Sequence, residues 1–165
     1  FRDAEVAIIG GGDTAVEDAN YLSRMCKKVY IVHRRDELRA TKVLQNKVFE
    51  NPKIEIVWDS VVDGILGNET VEKLIVKNVK TEDLTTLDVE GVFVAIGSVP
   101  NTKLVVDKVK MSDYGYIITD EYMKTNIPGV FACGDIREKP LRQVVTAASD
   151  GAIAAFFAEK HIEGI

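Results

Sequence analysis

Glu5 to Ile9 (E-V-A-I-I) is a short apolar run that ends in three consecutive glycines, Gly10, Gly11 and Gly12. Ala15, Val16, Ala19, Leu22 and Met25 then recur at helical spacing. A buried strand that enters a helix through a glycine turn leaves few folds open. Thr14 and Glu17 fit an S/T-x-x-E capping box at the start of that helix. Val29 to Val32 reads as a second strand. A second helix is expected from about Asp36 to Phe49, with Leu38, Thr41, Leu44 and Val48 on one face, and Asn51-Pro52 stops it. Ile54 to Trp58 is the third strand. Short strands alternating with helices predict a parallel sheet.

The rhythm then changes. Val61 to Leu66, Val71 to Val79 and Thr86 to Val89 read as strands with only turns between them, which predicts an antiparallel meander. Gly91 to Ile96 is again a continuous apolar run and is expected to return to the parallel sheet. Further on, Tyr116 to Thr119 and Val130 to Cys133 are short strand candidates. A final helix is expected over about Leu141 to Ile162, with Val144, Val145, Ala148, Ala152, Ala155 and Phe156 as its buried stripe. The fold class expected is α/β, a Rossmann-like parallel sheet with an antiparallel insertion, followed by part of a second α/β lobe. The boundary is placed near Gly97 to Asn101, giving segments 1–97 and 98–165.

The 165 residues carry a formal net charge of −5, which argues against a nucleic-acid-binding surface and makes any basic cluster a local device. No run is long and apolar enough to span a membrane. The start lacks a basic stretch followed by an apolar core, so no signal peptide is expected, and a first residue Phe1 suggests a segment upstream. Cys26 and Cys133 are the two cysteines. Neither lies in a C-x-x-C or among other ligand types, so no redox pair or metal site is expected. Each reads as a small buried apolar side chain, and a cytoplasmic, reducing compartment fits.

Gly10 to Ala15 matches G-x-G-x-x-A in the strand–turn–helix setting the motif requires. Gly10 permits the tight turn, Gly12 lets a pyrophosphate approach the backbone, and Ala15 lets helix and strand pack closely. The helix's free N–H groups and dipole then face the phosphates. The alternative is a glycine-rich turn without a ligand. In such a fold the tip of the second strand touches the adenosine ribose, where an Asp or Glu signals NAD. Here that place holds His33, Arg34 and Arg35, with Arg39 following. Arginine pairs with a 2′-phosphate in a bidentate, charge-assisted way. Arg35 and Arg39, four apart on a helix from Asp36, are expected on one face. The cofactor expected is NADP(H); the alternative is a solvated basic turn balanced by Asp36 and Glu37.

"GGGDTAVEDANYLS" and "VYIVHRRDELRA" resemble the NADPH half of the low-molecular-weight thioredoxin reductases. "GVFVAIGSVPNT" resembles the crossover that leaves their NADPH domain, and "TNIPGVFACGDIREKPLRQVVTAASDGAIAA" the segment by which they hold FAD. The resemblance implies that Gly10, Gly12, Thr14 and Ala15 line the NADPH pyrophosphate and that His33, Arg34, Arg35 and Arg39 surround its 2′-phosphate. It places Ile96 and Gly97 at the nicotinamide side. It gives Gly134 and Asp135 to the ribityl chain of FAD, with the Asp135 carboxylate emerging at a strand end. It brings Arg142, Gln143 and Val144 to the isoalloxazine, with Ala147 packed nearby. The start of the last helix then stabilises negative charge on a reduced flavin.

These reductases also carry a C-x-x-C dithiol and a first glycine-rich unit for FAD, and this chain has neither. It therefore resembles the C-terminal half of such an enzyme. The parent activity implied is hydride transfer from NADPH to FAD and electron delivery through a dithiol to thioredoxin, in a homodimer whose NADPH domain rotates about a hinge near Gly91 to Asn101. The fragment alone is expected to bind NADPH and not to catalyse. Alternatives are a ferredoxin–NADP reductase of thioredoxin-reductase type, an alkyl-hydroperoxide-reductase flavin subunit, or a non-catalytic NADPH-binding module.

Overall fold

The computed structural model describes residues 1–164, so Ile165, the last residue of the 98–165 segment, lies outside the described residues. Two compact units make up the chain, Phe1–Gly97 and Ser98–Ile165.

In the first unit, strands β1 (Glu5–Ile9), β2 (Lys28–Val32) and β3 (Ile54–Val57) alternate with helices α1 (Asp13–Leu22) and α2 (Lys42–Phe49). A meander follows, β4 (Ser60–Gly67), β5 (Val71–Asn78) and β6 (Leu84–Asp88), and β7 (Gly91–Val94) closes the unit. Four strands form an all-parallel sheet in the order β3-β2-β1-β7, and the meander forms its own antiparallel sheet β4-β5-β6.

The period of two along each strand decides the layering. Val6 and Ile8 of β1 and Val29 and Ile31 of β2 share one cluster with Ala15, Val16, Ala19 and Leu22 of α1 and Val48 of α2. Their neighbours Ala7, Tyr30 and Val32 point the other way and pack with Leu74, Val76 and Val89 from the meander region. The parallel sheet is thus covered on both faces, by helices on one and by the antiparallel sheet on the other. That explains why β1 and β2 read as unbroken apolar runs. Fully burying side chains such as Ile8 and Ile31 stabilises by roughly 1.5–3 kcal/mol each.

Local expectations were corrected in two places here. The capping box does not form: Gly12 is the N-cap of α1, no side chain caps it, and Thr14 lies inside the first turn. The Asp13 carboxylate is turned outward and accepts from the Thr41 N–H at 2.8 Å. The second helix starts at Lys42, not near Asp36. The Arg39 and Ala40 N–H groups donate to the Gly11 carbonyl at 2.7 and 3.2 Å, which pulls this stretch out of a helix and over the glycine turn. Leu38 is buried under that crossing, and Gln45 from α2 donates to the Leu38 and Ala40 carbonyls. Arg35 and Arg39 therefore do not share a helix face.

The second unit is turn-rich. A small cluster of Val109, Ile117 and Ala132 forms its core, with Val105, Met111, Ile127 and Ile136 against it. Tyr116 to Thr119 and Val130 to Cys133 do not form strands. Only single bridges occur there: Ile117 with Met111 and Arg137, and Lys124 with Phe131. The hydrogen bonds of Ile117 and Ile118 scatter to Ile136, Glu138 and Lys110, so no ladder extends. Helix α3 (Val144–Glu163) begins at the N-cap Gln143, whose capping box with Thr146 satisfies first-turn groups, and ends at Gly164 in the left-handed conformation, φ 76°. Its expected stripe is not buried. Val144, Val145 and Phe156 are 87, 73 and 54% exposed, and Ala148, Ala152 and Ala155 are exposed as well. Asp150 and Ala154 are the residues that face inward. Cys26 is buried and Cys133, against expectation, is exposed.

Candidate functional site

Strand β1 is the point where the sheet order reverses, with β2 on one side through α1 and β7 on the other. Crevices at the carboxyl ends of such strands are where open α/β sheets bind ligands. A cavity of about 350 Å³ lies there in the first unit. It is lined at the end of β1 by Ile9, Gly10 and Gly11, and at the end of β2 by Val32, His33 and Arg34. Arg39, Ser60, Val62 and Ile96 complete most of its wall.

The three glycines have different surroundings. A methyl at Gly10 would overlap the Ala95 carbonyl, and φ is +150° there, so the turn itself needs glycine. A methyl at Gly11 would overlap the His33 ring. At Gly12 a methyl would meet nothing within 4 Å. Gly12 is therefore not small for any packing reason in the protein. It sits as the uncapped N-cap of a ten-residue helix, where backbone N–H groups remain for an outside acceptor. Ala15 is fully buried, and its Cβ limits the space at Gly10 to 3.0 Å, which is the close helix–strand packing expected of it. Thr14 is exposed at the start of α1.

The basic stretch divides by burial. Arg34, Arg35 and Arg39 are exposed; Arg34 and Arg39 line the cavity, whereas Arg35 does not. His33 is buried with 4% of its surface exposed, and its Nε2 has no hydrogen-bond partner. Burial, with the three arginine charges adding to it, pushes the His33 imidazole below its usual value. It acts as a neutral wall between Gly11 and the Trp58 ring, whose centroid is 6.4 Å away. Gly97 follows Ile96 with φ +97°, a left-handed turn at the unit's end.

In the second unit, Asp135 and Arg142 line one cleft of about 480 Å³, with Ser98, Pro100, Tyr116 and Ile136 among its other walls. Asp135 does not emerge from a strand. It sits in a 3-10 turn, Gly134–Ile136, with an exposed carboxylate 3.5 Å from the Lys139 ammonium. The Arg142 guanidinium lies 3.8 Å over the Tyr116 ring and donates to the Asp135 and Arg137 carbonyls. Gly134 and Ala147 face each other, a methyl on Gly134 lying 3.8 Å from the Ala147 Cβ. Gln143 caps α3, and Val144 follows it into solvent.

Sequence reasoning missed Asp150. Its carboxylate accepts from Arg137 Nε at 2.8 Å, Arg137 Nη2 at 3.1 Å, Lys139 Nζ at 3.1 Å and the Gly134 N–H at 3.1 Å. The Arg137 hydrogen bonds lead in holding its carboxyl down at about 2. This knot fastens the Gly134–Ile136 turn to the middle of α3. Arg137-x-Lys139 ahead of a lone acid in an apolar helix segment was the available signal.

The family model for pyridine nucleotide-disulphide oxidoreductases matches residues 2–151. The chain belongs to this family. It is 52% identical over 169 residues to a thioredoxin reductase of Peptoclostridium acidaminophilum, covering 99% of this chain and 54% of that protein. Among solved structures it is similar to thioredoxin reductase from Streptococcus pyogenes, with TM-score 0.87 and 48% identity over 100% of this chain and 54% of that one. Thioredoxin reductase from Lactococcus lactis gives TM-score 0.72 and 44% identity, covering 100% of this chain and 55% of that one. The chain spans about half the length of the curated relatives it matches. The resemblance to thioredoxin reductases, first drawn from four stretches of sequence, thus holds along almost the whole chain. Among the described residues no helix is long and apolar enough to cross a membrane.

Proposed function

We propose that this chain is the NADPH-binding part, and a portion of the FAD-binding part, of a cytoplasmic NADPH-dependent thioredoxin-disulfide reductase. One observation carries the reading: a single cavity joins the glycine turn to the cationic end of β2. The open space at Gly12 and the uncapped start of α1 fit a pyrophosphate. Arg34 and Arg39, with Arg35 beside them, fit a 2′-phosphate. Ile96 and Gly97 stand at the nicotinamide end. In the second unit Asp135, Arg142, Gln143 and Val144 are the groups offered to FAD, with Gly134 and Ala147 supporting them.

Held by these residues, NADPH would supply a hydride and FAD would carry electrons toward a dithiol and thioredoxin. The polypeptide's own part is to bind and orient. Its arginines select the phosphorylated dinucleotide, and the buried neutral His33 holds the glycine turn in shape. With cysteines only at 26 and 133, this polypeptide alone reduces no disulfide, and it retains FAD weakly or not at all. In this reading the full-length reductase is a homodimer, which sedimentation of that protein checks.

Calorimetric titration with NADPH and with NADH tests the reading. Arginine–phosphate pairs predict at least about tenfold tighter binding of NADPH, and Arg39→Ala should remove most of that margin. Equal affinity of the unaltered chain for the two dinucleotides would remove the argument. A flavin-loaded, yellow protein as purified would overturn the statement on FAD.

A further inference from the structure

Three loops meet behind the arginines. Main-chain hydrogen bonds fasten the end of β2 to the β3–β4 turn: His33 N–H donates to the Val57 carbonyl at 3.0 Å, Ser60 N–H to the His33 carbonyl at 2.9 Å, and Asp59 N–H to the Arg35 carbonyl at 3.2 Å. Asp59 takes the left-handed conformation, φ 50°, and its carbonyl accepts from the Val79 N–H of the β5–β6 turn at 2.6 Å. From that same turn Lys80 donates to Asp59 Oδ2 at 2.9 Å and to Asp36 Oδ2 at 3.1 Å. Asp36 directly follows the two arginines, and the Asp59 side chain is only 17% exposed.

The charges explain why a lysine is wanted there. Arg34, Arg35 and Arg39 are balanced by Asp36, Glu37 and Asp59, so these six groups cancel. Lys80 alone makes the cluster net positive. The exposed Asp36 carboxylate is charged at neutral pH and, without the Lys80 ammonium 3.1 Å away, would repel an anion. Both Lys80 and Asp36 are largely solvated, and such pairs add little to folding. Their effect should be felt in the affinity for an anion.

We propose that Lys80 is a positioning residue that determines specificity for the 2′-phosphate. It neutralises Asp36 and Asp59 and ties the β5–β6 turn to the arginine loop, without touching the cofactor. This rests on the reading of the cavity as the NADPH site. It also gives the inserted meander a role beyond covering the sheet.

The test uses the whole chain with the single variants Lys80→Met, Lys80→Arg and Asp36→Asn, and the double variant carrying Lys80→Met and Asp36→Asn. Dissociation constants are measured for NADPH and NADH, and for 2′,5′-ADP and 5′-ADP as probes of the phosphate alone. Lys80→Met should weaken NADPH and 2′,5′-ADP about three- to tenfold at low salt and leave NADH and 5′-ADP within about twofold. The loss should shrink at physiological ionic strength. Lys80→Arg should bind as the unaltered chain does, the double variant should recover at least about half the loss on a logarithmic scale, and Asp36→Asn alone should tighten NADPH. An unchanged NADPH-to-NADH ratio in Lys80→Met overturns the proposal, as does equal weakening of all four ligands. Asp36→Asn decides the matter independently if Lys80→Met folds poorly, since no gain in NADPH affinity also counts against it. Equal affinity of the unaltered chain for NADPH and NADH instead defeats the cofactor reading beneath it.

Discussion

Replacing Asp150 by Asn should destabilise the second unit, and the cost can be worked from its surroundings. The carboxylate is 8% exposed and faces Arg137 and Lys139, whose side chains are 16 and 4% exposed. In the variant Arg137 loses its counter-charge and Lys139 keeps only the exposed Asp135 carboxylate, 3.5 Å away. Breaking such a pair costs roughly 3–5 kcal/mol when nothing replaces the charge. The amide oxygen still accepts one hydrogen bond, which lowers the figure. The carboxyl group gives a second route to the magnitude, because its pKa falls from an ordinary 3.8 to about 2 on folding. At roughly 1.4 kcal/mol per pH unit this is about 2 kcal/mol of linked stability. A loss of about 2–4 kcal/mol at pH 7 is therefore expected. The folded-state value lies below the unfolded one, so this contribution is fully present above about pH 4 and fades as pH falls toward 2. The assay can separate the units. Trp58 is the sole tryptophan and reports on Phe1–Gly97, whereas α3 holds 20 helical residues against 10 and 8 in α1 and α2. In urea, the helical circular dichroism transition should shift and the tryptophan fluorescence transition should not. A helical transition matching the unaltered chain would refute the reasoning, as would a loss that persists undiminished on acidification toward pH 2.

Two further outcomes follow from the glycine turn. Gly12→Ala should leave the fluorescence-detected stability within about 0.5 kcal/mol, since its methyl meets nothing, yet weaken dinucleotide binding by tenfold or more, about the cost of a blocked phosphate approach; unchanged binding would show that no pyrophosphate rests there. His33, held below its ordinary value of 6.5 by burial, binds a proton more readily in the unfolded chain than in the folded one. Stability of the first unit should therefore fall as pH drops below about 6.5 and level off once the lower folded-state value is passed; His33→Gln should flatten that slope in urea titrations followed at Trp58, and an equal slope in both proteins would contradict it.

The layering of the first unit was legible because burial on both faces leaves a simple mark. Val6 through Ile9 and Val29 through Val32 have no charged residue to break the run, and three strand candidates separated only by turns announced the meander. The stretch from Asp36 to Ala40 was not legible. Leu38, Thr41, Leu44 and Val48 keep a helical period across the true start at Lys42, but Leu38 is buried by the crossing over Gly11 and not by a helix face. That crossing depends on two long-range hydrogen bonds that no local window contains. Helix α3 misled for a related reason. Between Val144 and Phe157 it is apolar on nearly every side, so periodicity has little to choose from. An acid normally marks the solvent face; here Asp150 turns inward because Arg137, Lys139 and the Gly134 N–H await it.

The same logic connects the two sites. In each, a glycine-containing turn presents backbone that a ligand could approach, and a neighbouring side chain keeps the turn in place. His33 does this for Gly11 by bulk, with its Nε2 left unpaired and its charge suppressed. Asp150 does it for Gly134 by charge, with every oxygen engaged. In the NADPH reading proposed above, a neutral wall leaves the exposed arginines as the groups that attract the phosphates. A saturated carboxylate suits a turn beside Asp135, because Asp150 binds Arg137 and takes the shorter of the two Lys139 contacts, 3.1 Å against 3.5 Å to Asp135, whose carboxylate stays exposed.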